Sequence, residues 1–190
     1  MSYKSIGDRH YVEEGWSGTR STHVNTEIWG KVVGDNVVVS CADVVVVNNV
    51  GKILLVRRNI QPLKGEYWVI GGKRNPGEAR AESAQRHFKR DTRLNLLTDR
   101  FRYIDVYSTV FAVRNEPPQT NGSHTDNFTF AVVLLPEETA TIQLDPREYE
   151  DENAWQWFLA EDIIAMVKAG KMHPALADIV RDMRTKNIIP

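Results

Sequence analysis

The run VVVSCADVVVV at residues 37–47 constrains this chain more than any other part of it, because valine fills seven of its eleven positions. β-Branched side chains are stiff at χ1 and pack well on a pleated surface, so the run predicts a strand buried on both faces. Asn48, Asn49, Val50 and Gly51 supply turn chemistry, and residues 52–58 return as a second strand ending in Arg57 and Arg58, which makes the pair a hairpin. A loop over 59–66 with Pro62 and Gly65 then leads to a short strand at 67–70 that runs into Gly71 and Gly72. Pro76 and Gly77 make a turn, and residues 78–92 read as a helix with Ala81, Ala84 and Phe88 on its apolar face.

Further strands are predicted at 101–113 and 128–135, separated by a polar loop over 114–127 of a length that is commonly functional or mobile. The strongly acidic segment 145–152 precedes a last strand at 155–159, and helices follow at 161–169 and 174–186, the second with Pro174 at its first turn. Strands, an interposed helix and a helical tail predict an α/β fold, a mixed sheet packed between helices. Residues 37–190 form that domain. Residues 1–36 are polar and lack periodicity, so they read as an N-terminal arm that covers a sheet edge or crosses to a second subunit in a homodimer, or else as a disordered tail.

At 190 residues and 42% hydrophobic content, the chain has material for one domain with a substantial core. A formal net charge of -1 offers no general attraction to nucleic acid or an anionic membrane, so any phosphate site must be a local cluster of cations. The single cysteine, Cys41, falls in the apolar run and reads as a buried structural thiol. With no basic and apolar leader and no apolar stretch long enough to span a bilayer, the expectation is a soluble, cytoplasmic protein.

The functional signal lies at 71–94, GGKRNPGEARAESAQRHFKRDTRL. Gly72 is followed after five residues by Glu78, and Glu78 after seven by Arg86. This spacing resembles the opening of the Nudix box, a strand-loop-helix signature of magnesium-dependent hydrolases of nucleoside diphosphates linked to another group. The resemblance implies an α/β/α sandwich and a small-molecule nucleotide substrate. The second half of the box departs from the pattern. Where the family reads Arg-Glu-apolar-x-Glu-Glu-x-Gly-apolar, this chain has Arg86-His87-Phe88-Lys89-Arg90-Asp91-Thr92-Arg93-Leu94. Two of three carboxylates and the second glycine are replaced.

Within the family the pattern is most similar to the GDP-mannose mannosyl hydrolase branch, in which water attacks the sugar carbon and releases GDP and a free sugar. Asp43, Arg58, Pro62, Gly65 and Gly71-Gly72-Lys73 stand at matching intervals, and Asp126 matches an aspartate of that branch. The resemblance implies that the Gly71 carbonyl, Asp91 and Asp151 hold one Mg2+, with Mn2+ as an alternative ion, and that Glu152 is the general base. Arg58, Lys73 and Arg86 would stabilise the departing diphosphate, and Asp43, His124 and Asp126 join Arg58 and Lys73 as substrate-contacting candidates. Arg90 opposes this ligand set: a guanidinium ~5 Å from a metal ion costs on the order of 3 kcal/mol per unit of metal charge at an effective dielectric near ~20. One ion or none therefore remain open. Attack on phosphorus, and an inactive nucleotide-binding domain, are the competing readings. Glu78, Glu82, Arg86 and Arg90 also fit an exposed helical ladder of i, i+4 ion pairs, and His87 fits a structural imidazole.

Overall fold

The computed structural model describes residues 3–5, 10–13, 16, 24–144 and 154–190. Strands β1 (Tyr3–Ser5) and β2 (Tyr11–Glu13) form a separate antiparallel pair, followed by a short helix α1 (Thr26–Ile28). The main sheet contains β3 (Val39–Val47), β4 (Ile53–Arg57), β5 (Tyr67–Trp68), β6 (Ile70–Lys73), β7 (Arg102–Phe111), β8 (Ser123–Val133) and β9 (Trp155–Phe158). Helix α2 (Arg80–Thr92) follows β6, α3 (Pro136–Thr141) follows β8, and α4 (Ala160–Lys168) and α5 (Ala175–Thr185) end the chain. The strand order is β5-β4-β3-β8-β7, with β6 on β3 and β9 on β4. β3 and β8 run parallel, and their neighbours pair antiparallel, so the sheet is mixed.

Strand alternation builds a core on each face. Ala42, Val44 and Val46 of β3 meet Ala84 and Phe88 of α2, whereas Val45 and Val47 meet Ile163 of α4 and Leu176 and Met183 of α5. Phe88 is fully buried, and truncating such a ring costs about 3–5 kcal/mol. This is the sandwich expected from the sequence, with β3 at its centre and apolar on both faces.

The structure adds detail to one expectation and corrects the bounds of another. The segment ahead of β3 is partly ordered into helical turns: α1 runs into a π-helical turn at Trp29–Gly34, and Asn25 Oδ1 caps the start by accepting from Glu27 N at 2.9 Å. A lone capping asparagine before a short, non-periodic stretch gave little warning of this. The expected strand at 128–135 instead begins at Ser123, because residues 123–127 pair with β7, and 125–127 with β3 as well, which shortens the polar loop. Its end is cut by Pro136 at the start of α3, where Glu138 accepts from Leu135 N at 2.8 Å. Among the described residues no helix is long and apolar enough to cross a membrane.

Candidate functional site

The sheet divides at β3. Val46 and Val47 pair with β4, but from Val44 to Cys41 the same edge of β3 pairs with β6. A cleft of ≈ 470 Å³ opens where the two branches part. Val56 and Arg58 line it from one branch and Gly71, Gly72 and Lys73 from the other, while Asp43, Thr125 and Asn127 reach it from β3 and β8. His87 and Arg90 enter from α2.

At the cleft Asp43 is buried, its carboxylate accepting from Asn127 Nδ2 at 2.8 Å and from Trp68 Nε1 at 3.3 Å. Burial pushes its pKa up to about 6, against the pull of the Asn127 hydrogen bond, the Arg58 charge and the Trp68 hydrogen bond. Arg58 is anchored through Nε to the Pro62 carbonyl at 2.6 Å, while Arg57 turns to the Gly65 carbonyl and does not line the cleft. Cys41 is a buried thiol, its pKa raised to about 12 by burial and then by the Asp43 charge.

The helical turns before β3 make the cleft's outer wall. Trp29 places its ring 3.4 Å from Lys73 Nζ, and the same ammonium donates to Glu116 at 2.7 Å. Arg114, fully buried, holds this wall in place: Nη1 lies 2.6 Å from Asp35 Oδ1 and 2.9 Å from the Gly122 carbonyl, and Nε donates to the Glu116 carbonyl at 3.0 Å. Gly34 is required for that contact, since a Cβ there would stand 2.5 Å from Arg114 Nη1. Sequence reasoning did not single out Arg114, Asp35 or Glu116. The only available sign was a charged residue bordering the polar loop, which fits a solvated position equally well.

The box residues fall into two groups. Glu78 and Arg86 form a brace: Arg86 Nε donates to Glu78 Oε1 at 2.6 Å and Nη2 to Oε2 at 2.8 Å, while Glu78 Oε2 accepts from Asn75 N and Arg86 Nη2 reaches the Lys73 carbonyl at 3.1 Å. Burial opposes ionisation of Glu78, but the Arg86 and Asn75 hydrogen bonds outweigh it and hold the carboxyl below its usual pKa. Arg86 thus ties the β6–α2 loop together and does not line the cleft. His87 packs under Gly72, where an added Cβ would stand 2.6 Å from the ring, and its Nε2 lies 3.0 Å from the Lys73 carbonyl. Burial, followed by the Arg90 and Arg86 charges, lowers its pKa to about 4, so it is a neutral imidazole near neutral pH.

Arg90 and Asp91 form the second group. Asp91 is fully buried. Arg90 Nε donates to Asp91 Oδ1 at 2.5 Å, and Nη2 donates both to Asp91 Oδ2 at 2.9 Å and to the Gly71 carbonyl at 3.0 Å. These are the two described donors that the family resemblance assigns to a metal ion. In this arrangement they do not fit one: a divalent ion at ~2.1 Å would claim the same oxygens that the guanidinium holds. Among the described residues no three His, Cys, Asp or Glu side chains gather as a metal cluster. Asp151 and Glu152 lie outside the described residues.

His124 and Asp126 are not brought to the cleft. Ser123, Thr125 and Asn127 line it, so alternation along β8 turns the intervening pair to the opposite face. There His124 Nε2 meets Ser108 Oγ at 2.8 Å and lies 4.0 Å from Asp126 Oδ1.

A sequence model described as the NUDIX domain matches residues 39–183. Solved structures agree in fold. A MutT protein from Methanosarcina mazei Go1 superposes with a TM-score of 0.56 at 20% identity, covering 78% of this chain and 94% of its own. A MutT NUDIX hydrolase from Burkholderia pseudomallei gives 0.57 at 18% identity over 76% of this chain and 96% of its own. An Ap4A hydrolase from C. elegans gives 0.53 at 15% identity over 80% and 98%. No curated protein sequence matches the chain.

Proposed function

The chain belongs to the Nudix hydrolase family, and from that premise we propose that it hydrolyses a nucleoside diphosphate derivative in the β3 cleft, with a nucleotide sugar such as GDP-mannose preferred. Nudix enzymes act on small-molecule nucleotides and generally use a divalent ion such as Mg2+. The observation that carries the reading is the convergence of Arg58, Lys73 and Arg90 around one cleft, three cations for the charges of a diphosphate. The nucleotide-sugar preference is supported by the positions that resemble the mannosyl hydrolase branch: Asp43, Arg58 and Gly71-Gly72-Lys73 all line that cleft.

In the proposed reaction a water oxygen bonds to the sugar C1, the C1–O bond to the diphosphate breaks, and GDP leaves with the electron pair. Glu152 takes the proton from water. Arg58 and Lys73 hold the diphosphate as its charge rises on departure. Glu152→Gln should then lower turnover by ~100-fold or more while leaving binding largely intact. A full-rate variant would remove Glu152 from the role.

A second reading, nucleotide binding without turnover, is favoured by one feature, the Arg90 guanidinium seated on Asp91 and the Gly71 carbonyl. Product analysis separates the readings. With GDP-mannose, other nucleotide sugars, ADP-ribose and nucleoside triphosphates as a panel, GDP plus free sugar supports attack at carbon. A nucleoside monophosphate plus a sugar phosphate moves the attack to phosphorus. Binding with no product makes the domain a sensor.

A further inference from the structure

We propose that Arg90 is the resident cation of this site: its guanidinium, pinned between the Asp91 carboxylate and the Gly71 carbonyl, binds the nucleotide diphosphate directly, and nucleotide binding is independent of divalent metal. The inference rests on the β3 cleft being the nucleotide site.

The geometry of the pair is unusual for a helix. Consecutive helical residues do not face each other, so an arginine beside an aspartate would ordinarily extend into solvent. Arg90 instead folds back over its neighbour, and the Gly71 carbonyl 3.0 Å from Nη2 gives it a second anchor across the gap to β6. A planar fork matches a carboxylate and a carbonyl together, which a flexible ammonium does not. The Arg90 side chain keeps 36% of its surface exposed and lines the cleft, whereas Asp91 is fully buried beneath it. Asp91 has a permanent counter-charge within hydrogen-bond distance, since a guanidinium does not deprotonate in proteins.

Charge arithmetic points the same way. The usual box offers three carboxylates at these positions, which one divalent ion brings to a net charge of about -1. Here His87 is neutral, Arg90 is positive and Asp91 is negative, so the same three positions sum to zero with no ion bound. The positive charge that a metal would bring is already present, and a further divalent cation beside a guanidinium is bound more weakly by several orders of magnitude.

Calorimetry on the full chain tests this with Mn2+ alone and with GDP in excess EDTA. The wild type is expected to show no saturable Mn2+ binding in the millimolar range and to bind GDP in EDTA. Arg90→Gln should gain Mn2+ binding and lose at least ~10-fold in GDP affinity in EDTA. Equal Mn2+ affinity in the two proteins, or GDP binding in EDTA that the substitution leaves unchanged, overturns the inference. Should Arg90→Gln fail to fold, Arg90→Lys retains a charge against Asp91 but lacks the fork; several-fold weaker GDP binding in EDTA supports the assignment and unchanged binding overturns it. GDP binding by the wild type only when Mn2+ is added defeats this inference and leaves the proposed function standing, whereas no GDP binding under either condition defeats both.

Discussion

Arg86 grips Glu78 with two parallel hydrogen bonds, 2.6 Å and 2.8 Å long, across the loop that joins β6 to α2. The same arginine reaches the Lys73 carbonyl and the same glutamate holds Asn75 N, so the pair fixes the loop from both ends. Glu78 keeps only 11% of its side-chain surface exposed, which leaves its charge dependent on Arg86. Glu78→Gln should therefore cost about 1–3 kcal/mol in urea unfolding. A double-mutant cycle with Arg86→Met should return a coupling of about 1–3 kcal/mol. A coupling near zero would free Arg86 for the diphosphate role that the family resemblance gives it.

Gly72 lies against the His87 ring, with an added Cβ only 2.6 Å from Cε1, and the ring is itself held at the Lys73 carbonyl. Gly72→Ala must displace either the imidazole or β6, and overpacking of this kind costs about 1–3 kcal/mol. Because β6 carries Gly71 and Lys73 into the cleft, ligand affinity should fall with stability. A variant with wild-type thermal midpoint and wild-type GDP affinity would show that the close approach is not a constraint.

Much of this architecture was legible in the sequence. The valine run fixed β3, since few other environments suit so many β-branched residues with an aspartate among them, and the strand-turn-helix after Ile70 placed α2 to within two residues. Asp43, Arg58 and Lys73 do converge on one cleft. The wall formed by Trp29, Arg114 and Asp35 was not legible, because it depends on residues 79 positions apart meeting through an ion pair between a buried arginine and an exposed aspartate, which has no periodicity. Nor could strand pairing be read finely enough to see that β8 begins at Ser123, which decides which face His124 and Asp126 occupy. The sequence showed that Arg90 stands where a carboxylate is usual, but not that it would seat itself on Asp91 and Gly71.

The second glycine of the box is Arg93 here, yet the backbone retains the left-handed conformation, φ 64°, and closes α2 through Arg93 N to the Lys89 carbonyl at 3.1 Å. A non-glycine residue pays about 1 kcal/mol for that conformation. Arg93→Gly and Arg93→Ala both remove the arginine side chain, but only glycine relieves the strain, so the glycine variant should have the higher thermal midpoint by about 2–4 °C. Equal midpoints in the two variants would show that the left-handed conformation at this position carries no strain.

Asp43 gives the stability of this fold a particular pH dependence. Its carboxyl titrates at about 6 in the folded chain against an ordinary 3.8, because burial disfavours the charge more than Asn127, Arg58 and Trp68 favour it. A raised folded pKa means that the native state binds the extra proton. The contribution is fully present below pH 3.8, is lost as pH rises toward 6, and changes no further above that. Over this window it amounts to about 3 kcal/mol. His87 works in the opposite sense, since its pKa of about 4 makes the unfolded chain the better proton binder at mildly acid pH. The two partly cancel in the wild type between pH 4 and 6. Asp43→Asn removes one side of the balance. Its unfolding free energy, measured against the wild type in urea, should improve by about 3 kcal/mol between pH 4 and pH 7, whatever constant offset the new amide introduces. A difference that stays flat across that range would show that Asp43 is ionised in the folded cleft well below pH 6, with Arg58 near enough to hold its charge.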